Sequence, residues 1–143
     1  MTDVRRGVEI EVLWLDDSMI ELGIKAANGR YAGETTFYAA PDSPRELARH
    51  IAGFPSSASD SRAYEFGTHS PEQGARLQFM ATDRLGHCAL AVTLHENASQ
   101  MPGDIQSVSL VVRIDPASVD AFAEQLMQMK LRVGERAFLP MAD

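Results

Sequence analysis

The sequence predicts an α+β fold: an antiparallel sheet of about seven strands with two amphipathic helices packed on one face. Three observations carry that prediction. Over most of the chain apolar residues alternate with polar ones, the period of two expected when one sheet face is buried. The strand-like stretches follow one another through short turns, which suits antiparallel pairing better than the crossovers of a parallel sheet. Only two segments repeat an apolar residue every three or four positions. The 143 residues are expected to form a single domain over 1–143, a length that buries roughly two-thirds of the surface the unfolded chain exposes.

Val8, Ile10, Val12 and Trp14 alternate with Glu9, Glu11 and Leu13, so the first strand is expected to bury Trp14 with the other three. Asp16-Asp17-Ser18 favours a turn. Ile20, Leu22, Ile24 and Ala26 then mark the buried face of a second strand. Asn28-Gly29, which suits the positive φ values of a two-residue hairpin, leads into a third strand over Tyr31 to Ala39. The first forty residues therefore read as a meander. Ser43-Pro44-Arg45-Glu46 combines a capping serine, a proline at the first helical position and a glutamate three residues on, so a helix starts there with Ser43 as its cap. Leu47, Ile51 and Phe54 give it an apolar stripe, and Gly53 with Pro55 ends it.

Ser56 to Ser61 reads as a small, exposed polar loop. Strands follow at Tyr64 to Thr68, at Leu77, Phe79 and Ala81, at Cys88, Leu90, Val92 and Leu94, and at Val108, Leu110, Val112 and Ile114. Pro71 to Gly74 and Asp83 to Gly86 are turn-like, and Asn97 to Asp104 is a longer connection. Asp115-Pro116 repeats the cap-then-proline signal before a helix with Val119, Phe122, Leu126 and Met129 on one face. The tail Phe138-Leu139-Pro140-Met141 is apolar enough that it must pack on its own domain or meet another chain.

Composition narrows the function classes. No apolar run approaches the roughly 18 to 20 residues that cross a bilayer, and the N-terminus does not read as a signal peptide, so the expectation is a cytoplasmic protein without membrane contact. Thirteen basic against twenty acidic residues give a net charge of −7. That charge opposes general affinity for nucleic acid and favours a basic partner. The single cysteine, Cys88, excludes an intrachain disulfide and any multi-cysteine zinc site.

The chemistry-bearing residues argue against catalysis, metal or cofactor. His87 precedes Cys88, but neighbours on a strand point to opposite faces, and Cys88 shares the parity of buried leucines and valines. His95-Glu96 begins like a metalloprotease helix, yet position 99 is Ser99. His87 and His95 would stand roughly 26 Å apart on one strand at ~3.3 Å per residue, too far to share a metal. No glycine-rich phosphate loop is present. Asn97-Ala98-Ser99 matches a glycosylation sequon by chance. A pocket with converging polar groups at His87 or His69 is the feature that would argue for an enzyme. The acidic residues Asp16, Asp17, Glu21, Glu34 and Glu96 fall in turns and on presumed solvent faces, where they suit contact with a basic protein.

Asn28-Gly29-Arg30-Tyr31-Ala32-Gly33-Glu34-Thr35-Thr36-Phe37-Tyr38, the helix end Gly53-Phe54-Pro55, the run Gly86-His87-Cys88-Ala89-Leu90-Ala91-Val92 and the helix from Val119 to Met129 together resemble the family of WapI-type bacterial immunity proteins and related small bacterial domains. The resemblance spans about Val8 to Leu131. It implies a non-catalytic protein that binds and neutralises the toxic domain of a secreted or contact-dependent toxin, a basic partner for an acidic surface. The other expectation is a self-associating domain that dimerises through a sheet edge or the apolar tail.

Overall fold

A computed structural model describes residues 5–67, 73–97, 101 and 103–143. Thr68, His69, Pro71, Ala98 and Ser99 lie outside the described residues. The strands are β1 (Gly7–Leu15), β2 (Ile20–Ala27), β3 (Ala32–Ala39), β4 (Ser61–Phe66), β5 (Gly74–Ala81), β6 (Cys88–Glu96), β7 (Gln106–Ile114) and β8 (Arg136–Pro140). The helices are α1 (Ser43–Ile51) and α2 (Pro116–Gln128).

The α+β antiparallel character holds, but the single seven-stranded sheet does not. Eight strands form two four-stranded antiparallel sheets, ordered β3-β2-β1-β8 and β4-β5-β6-β7. Alternation tells which face of a strand is buried and not which strands pair. Here α1 carries the chain from β3 in one sheet to β4 in the other. Two short helices could not cover the apolar side of a twisted seven-stranded sheet, so the sheets bury their inner faces against each other. The eighth strand is the apolar tail, which pairs with β1 of its own chain and buries Ala137 and Leu139.

The helices are likewise not on one face of one sheet. They pack on each other, with α2 against β8 and α1 against β4. At the other side β3 crosses the end of the second sheet. Gly33 meets β7, where an added Cβ would stand 2.5 Å from Val108 Cγ1. Thr35 Oγ1 donates to the His95 carbonyl at 3.1 Å, and the Phe37 ring lies 5.1 Å from Phe66. Glycine at 33 thus permits the close approach of the two sheets. The buried side chains, Phe37, Phe79 and Phe122 among them, form one cluster.

One local reading changes. The α1 cap is Asp42 and not Ser43, and no side chain caps the helix: the Asp42 carboxylate pairs with Arg49 at 3.2 Å, and Glu46 accepts from the Tyr64 hydroxyl at 3.0 Å. At α2 the reading holds, with the Ser118 amide donating to Asp115 Oδ1 at 2.9 Å. The loop before β4 is organised by Asp60. It accepts from the Ser56 amide at 2.8 Å and from Arg62 Nη2 at 2.9 Å, while Arg62 Nη1 also donates to the carbonyls of His50 and Ala52.

The outer sheet edges differ. The amide of Phe138 on β8 donates to Gln125 Oε1 of α2 at 2.8 Å. On β7 the Val111 carbonyl accepts from Asn28 Nδ2 and the Arg113 carbonyl from the Ala142 amide. On β3 the hairpin bond from the Asn28 amide to the Tyr31 carbonyl sets the phase of pairing with β2. Ala32, Glu34, Thr36 and Tyr38 therefore point their main-chain groups away from β2, and among the described residues nothing caps them.

Candidate functional site

The outer face of the first sheet gathers most of the acidic residues expected to bind a partner. Its construction begins with a β-bulge. The β1–β2 register is regular as far as Val12 opposite Leu22 and then shifts, so that Trp14 stands opposite Glu21 and Leu15 opposite Ile20. The extra residue, Leu13, turns Trp14 outward and lets Leu15 take the inward position. Trp14 is 43% exposed, which overturns its expected place in the core. The signal was present in Leu13-Trp14-Leu15, an apolar triplet that breaks strict alternation.

Across this face Trp14, Glu21 and Tyr38 form one row over three strands. The two rings meet edge to face, with centroids 6.1 Å apart and planes at 87°, and Tyr38 is 49% exposed. Glu21 holds the middle strand position of this row, and the indole and phenol remain half open to water. At the adjoining turn Asp16 accepts from the amides of Ser18 at 2.8 Å and Met19 at 2.9 Å. Those amide bonds, Ser18 first, hold its carboxyl below the usual range. Asp16 is thus committed to the turn. Asp17 is exposed, and among the described residues no hydrogen bond engages its carboxylate.

The next rows are more mixed. Glu11 faces Gly23 on one side and Arg136 on the other, the latter pair at 3.4 Å. Leu13 lies over Gly23, where a Cβ would come within 3.1 Å of Leu13 Cδ1. Lys25 stands between Glu9 and Glu34 across the strands without an ion pair to either. A depression of about 240 Å³ lined by Glu9, Glu11, Leu13, Lys25, Glu34 and Thr36 occupies this area.

Of the expected residues, Asp16, Asp17 and Glu21 therefore sit together at one end of the face, and Glu34 lies at the other end. Glu96 is not on the face. The crossing of β3 over β6 and β7 brings it beside Glu34, around a smaller depression of about 130 Å³ shared with His95, Gln106 and Ser107. The aromatic pair Trp14 and Tyr38 was missed: the first through the bulge, the second because a strand tyrosine carries no mark of its partners.

A second region bears on catalysis. His87 Nδ1 lies 2.5 Å from Asp83 Oδ2, at the edge of a groove of about 690 Å³ that also includes Cys88, Arg113 and Asp115. Cys88 Sγ is directed to the Gly86 carbonyl at 3.7 Å, and burial, followed by the charges of Asp83, Asp115 and Asp60, pushes its thiol up, away from thiolate. The Thr82 hydroxyl donates to the His87 carbonyl at 2.9 Å. Among the described residues the His–Asp pair has no nucleophile within hydrogen-bond reach. No group of three or more histidine, cysteine or acidic side chains among them could hold a metal ion, and no described helix is long and apolar enough to cross a membrane. No family model, curated protein or solved structure matches the chain.

Proposed function

We propose that this chain is a non-catalytic binding protein of the cytoplasm whose acidic, aromatic sheet face takes a basic protein partner, in the manner of an immunity protein that neutralises a toxin domain. The row Trp14–Glu21–Tyr38 carries this reading. Tryptophan and tyrosine are the residues that most often dominate interface energetics, because each buries a large rigid surface for little lost conformational freedom. A carboxylate in the same row as two such rings asks for a cation from the partner, and Asp17 and Glu34 extend the negative potential along the approach. The resemblance to WapI-type immunity proteins points the same way, and the net charge of −7 suits a basic nuclease-like toxin domain.

The experiment is capture of toxin domains encoded beside this protein, with the purified chain as bait at low and at moderate salt. The expected outcome is saturable binding of one basic domain, weakened by salt and lost in Glu21→Lys. Binding to none of them, or equal binding by the Glu21→Lys variant, refutes the reading. A second reading is favoured by one observation, the uncapped outer edge of β3, which could pair with the same edge of another copy. A concentration-dependent dimer abolished by Thr36→Pro would support it.

A further inference from the structure

The geometry points to a second, separate binding site: a groove at the edge of β7 that takes an organic oxyanion, a phosphate or carboxylate group borne on an apolar body. The argument starts from the arginines. Arg49, Arg62, Arg76, Arg132 and Arg136 each pair with a carboxylate. Arg5, Arg6, Arg30, Arg45, Arg84 and Arg113 have no described side-chain carboxylate within ion-pair distance, although acids outnumber bases in the chain, and of these six Arg6, Arg30 and Arg113 converge. These three line one groove of about 520 Å³ together with one acid, Asp143, whose side-chain carboxylate pairs with none of them, so positive charge prevails there; the volume is within the size range of small-molecule sites.

Their convergence is built by the fold. Arg6 precedes β1, Arg30 lies in the β2–β3 turn and Arg113 is on β7. Asn28 ties the turn to β7 by donating from Nδ2 to the Val111 carbonyl at 3.0 Å, while its Oδ1 accepts from the amides of Arg30 and Tyr31. The tail ties the other two, since the Met141 amide donates to the Arg6 carbonyl at 3.0 Å and the Ala142 amide to the Arg113 carbonyl at 2.7 Å. Gly29, at φ +90°, leaves room for the Arg6 guanidinium, which an added Cβ would meet at 2.9 Å.

Like charges gathered this way repel one another, and an anion relieves the repulsion. Guanidinium groups offer forked donors that match the oxygens of phosphate or carboxylate. One oxygen already stands there: Arg113 Nη2 donates to the main-chain oxygen of Asp143 at 3.3 Å. Its remaining N–H groups, and those of Arg6 and Arg30, are left for a ligand. The groove is also apolar in part, with Met141 on its wall and Val111 52% exposed. A ligand with a hydrophobic body would bury that surface, so a bare ion is the weaker occupant.

The test is titration of the isotopically labelled full chain at low ionic strength with phenyl phosphate, benzoate and inorganic phosphate, following the arginine Nε–Hε and backbone amide resonances by NMR. Expected are saturable shifts confined to Arg6, Arg30, Arg113 and the neighbourhood of Val111, with an aryl ligand roughly fivefold tighter than inorganic phosphate. The relative strength of phenyl phosphate and benzoate decides between phosphate and carboxylate as the preferred head group. Arg30→Gln with Arg113→Gln should weaken binding by about tenfold or more. Shifts that never saturate or that spread equally to Arg45 and Arg84 overturn the proposal, as does undiminished binding by the double variant. The wild-type pattern decides even if that variant fails to fold.

Discussion

The outer faces of the two sheets have the same architecture and opposite finish. Away from Val111 and Arg113 at its β7 edge, the outward side chains of the second sheet satisfy one another: Arg76 pairs with Glu65 at 2.8 Å, Thr93 with Ser109 at 3.0 Å, and Gln78 donates to Ser61 Oγ at 3.2 Å, with Ala63 and Ala91 between them. On the first sheet, among the described residues, Glu9, Glu21 and Glu34 have no ion-pair partner and Lys25 closes no pair, and an indole and a phenol stand half exposed. A face that has already satisfied its polar groups has little to offer a partner. A face carrying open charge and aromatic surface gains from being covered, which is why the proposed interface is on the first sheet.

Because β3 belongs to the first sheet and rests on the second, its seat is where the contrast breaks most easily. Gly33→Val would drive side-chain atoms into Val108 and lift β3, with the loss of about 3 kcal/mol of stability. Urea unfolding would show the loss, and partner binding would fall with it because Tyr38 and Glu34 ride on β3. Trp14→Ala separates binding from folding. The ring is half exposed, so the fold should barely change, whereas binding of the captured basic domain should weaken by on the order of 2 kcal/mol, roughly thirtyfold in Kd. Calorimetric titration checks it, and a change in unfolding midpoint as large as the change in binding would contradict the assigned role.

These two positions also show what was legible in the sequence. Alternation located seven strands and the buried face of nearly all of them, because burial on one side is written in the period of two. It did not show that the strands divide into two sheets, since pairing across a helix leaves no periodic trace. Gly33 looked like any strand glycine, and only the crossing of β3 over Val108 explains it. Trp14 was assigned inward because a bulge of one residue inverts every later side chain, and alternation has no means of announcing the inversion except by breaking. The eighth strand is five residues long with only Ala137 and Leu139 buried, too short for its period to stand out. Among the acidic residues, Asp17 and Glu21 come together at one end of the first sheet's outer face. Glu34 and Glu96 were not seen as neighbours, because a contact between sheets brings them together.

Acid sharpens the comparison in another way. Asp16, at the end of the first sheet's face, is stabilised as a carboxylate by backbone amides, whereas Asp60, beside the second sheet, is held chiefly by Arg62 and then by the Ser56 amide. Arg62 and Ser56 push the Asp60 pKa down to about 2 from an ordinary 3.8. Between those values the unfolded chain binds more protons than the folded one. The contribution of Asp60 is therefore complete above the unfolded value and is lost as pH falls toward 2. In Asp60→Asn this part of the acid dependence should vanish: the variant starts less stable at neutral pH and declines less steeply from pH 4 to 2. Chemical unfolding at several pH values measures both slopes, and parallel slopes would remove Asp60 from the account.

The smallest effect belongs to the closed face. Arg76 and Glu65 form an ion pair across β5 and β4 with both side chains about half exposed, so water already screens most of its attraction. Arg76→Ala should cost about 0.5 kcal/mol or less. Its value lies in binding, where it should leave the captured domain's affinity unchanged, although it removes one positive charge and makes the whole protein more acidic. That separates net charge from local face. If affinity rises in Arg76→Ala as the overall charge becomes more negative, the long-range field is what attracts the partner and the contrast between the faces carries no specificity. If affinity holds while Glu21→Lys abolishes it, the partner reads the row between Trp14 and Tyr38.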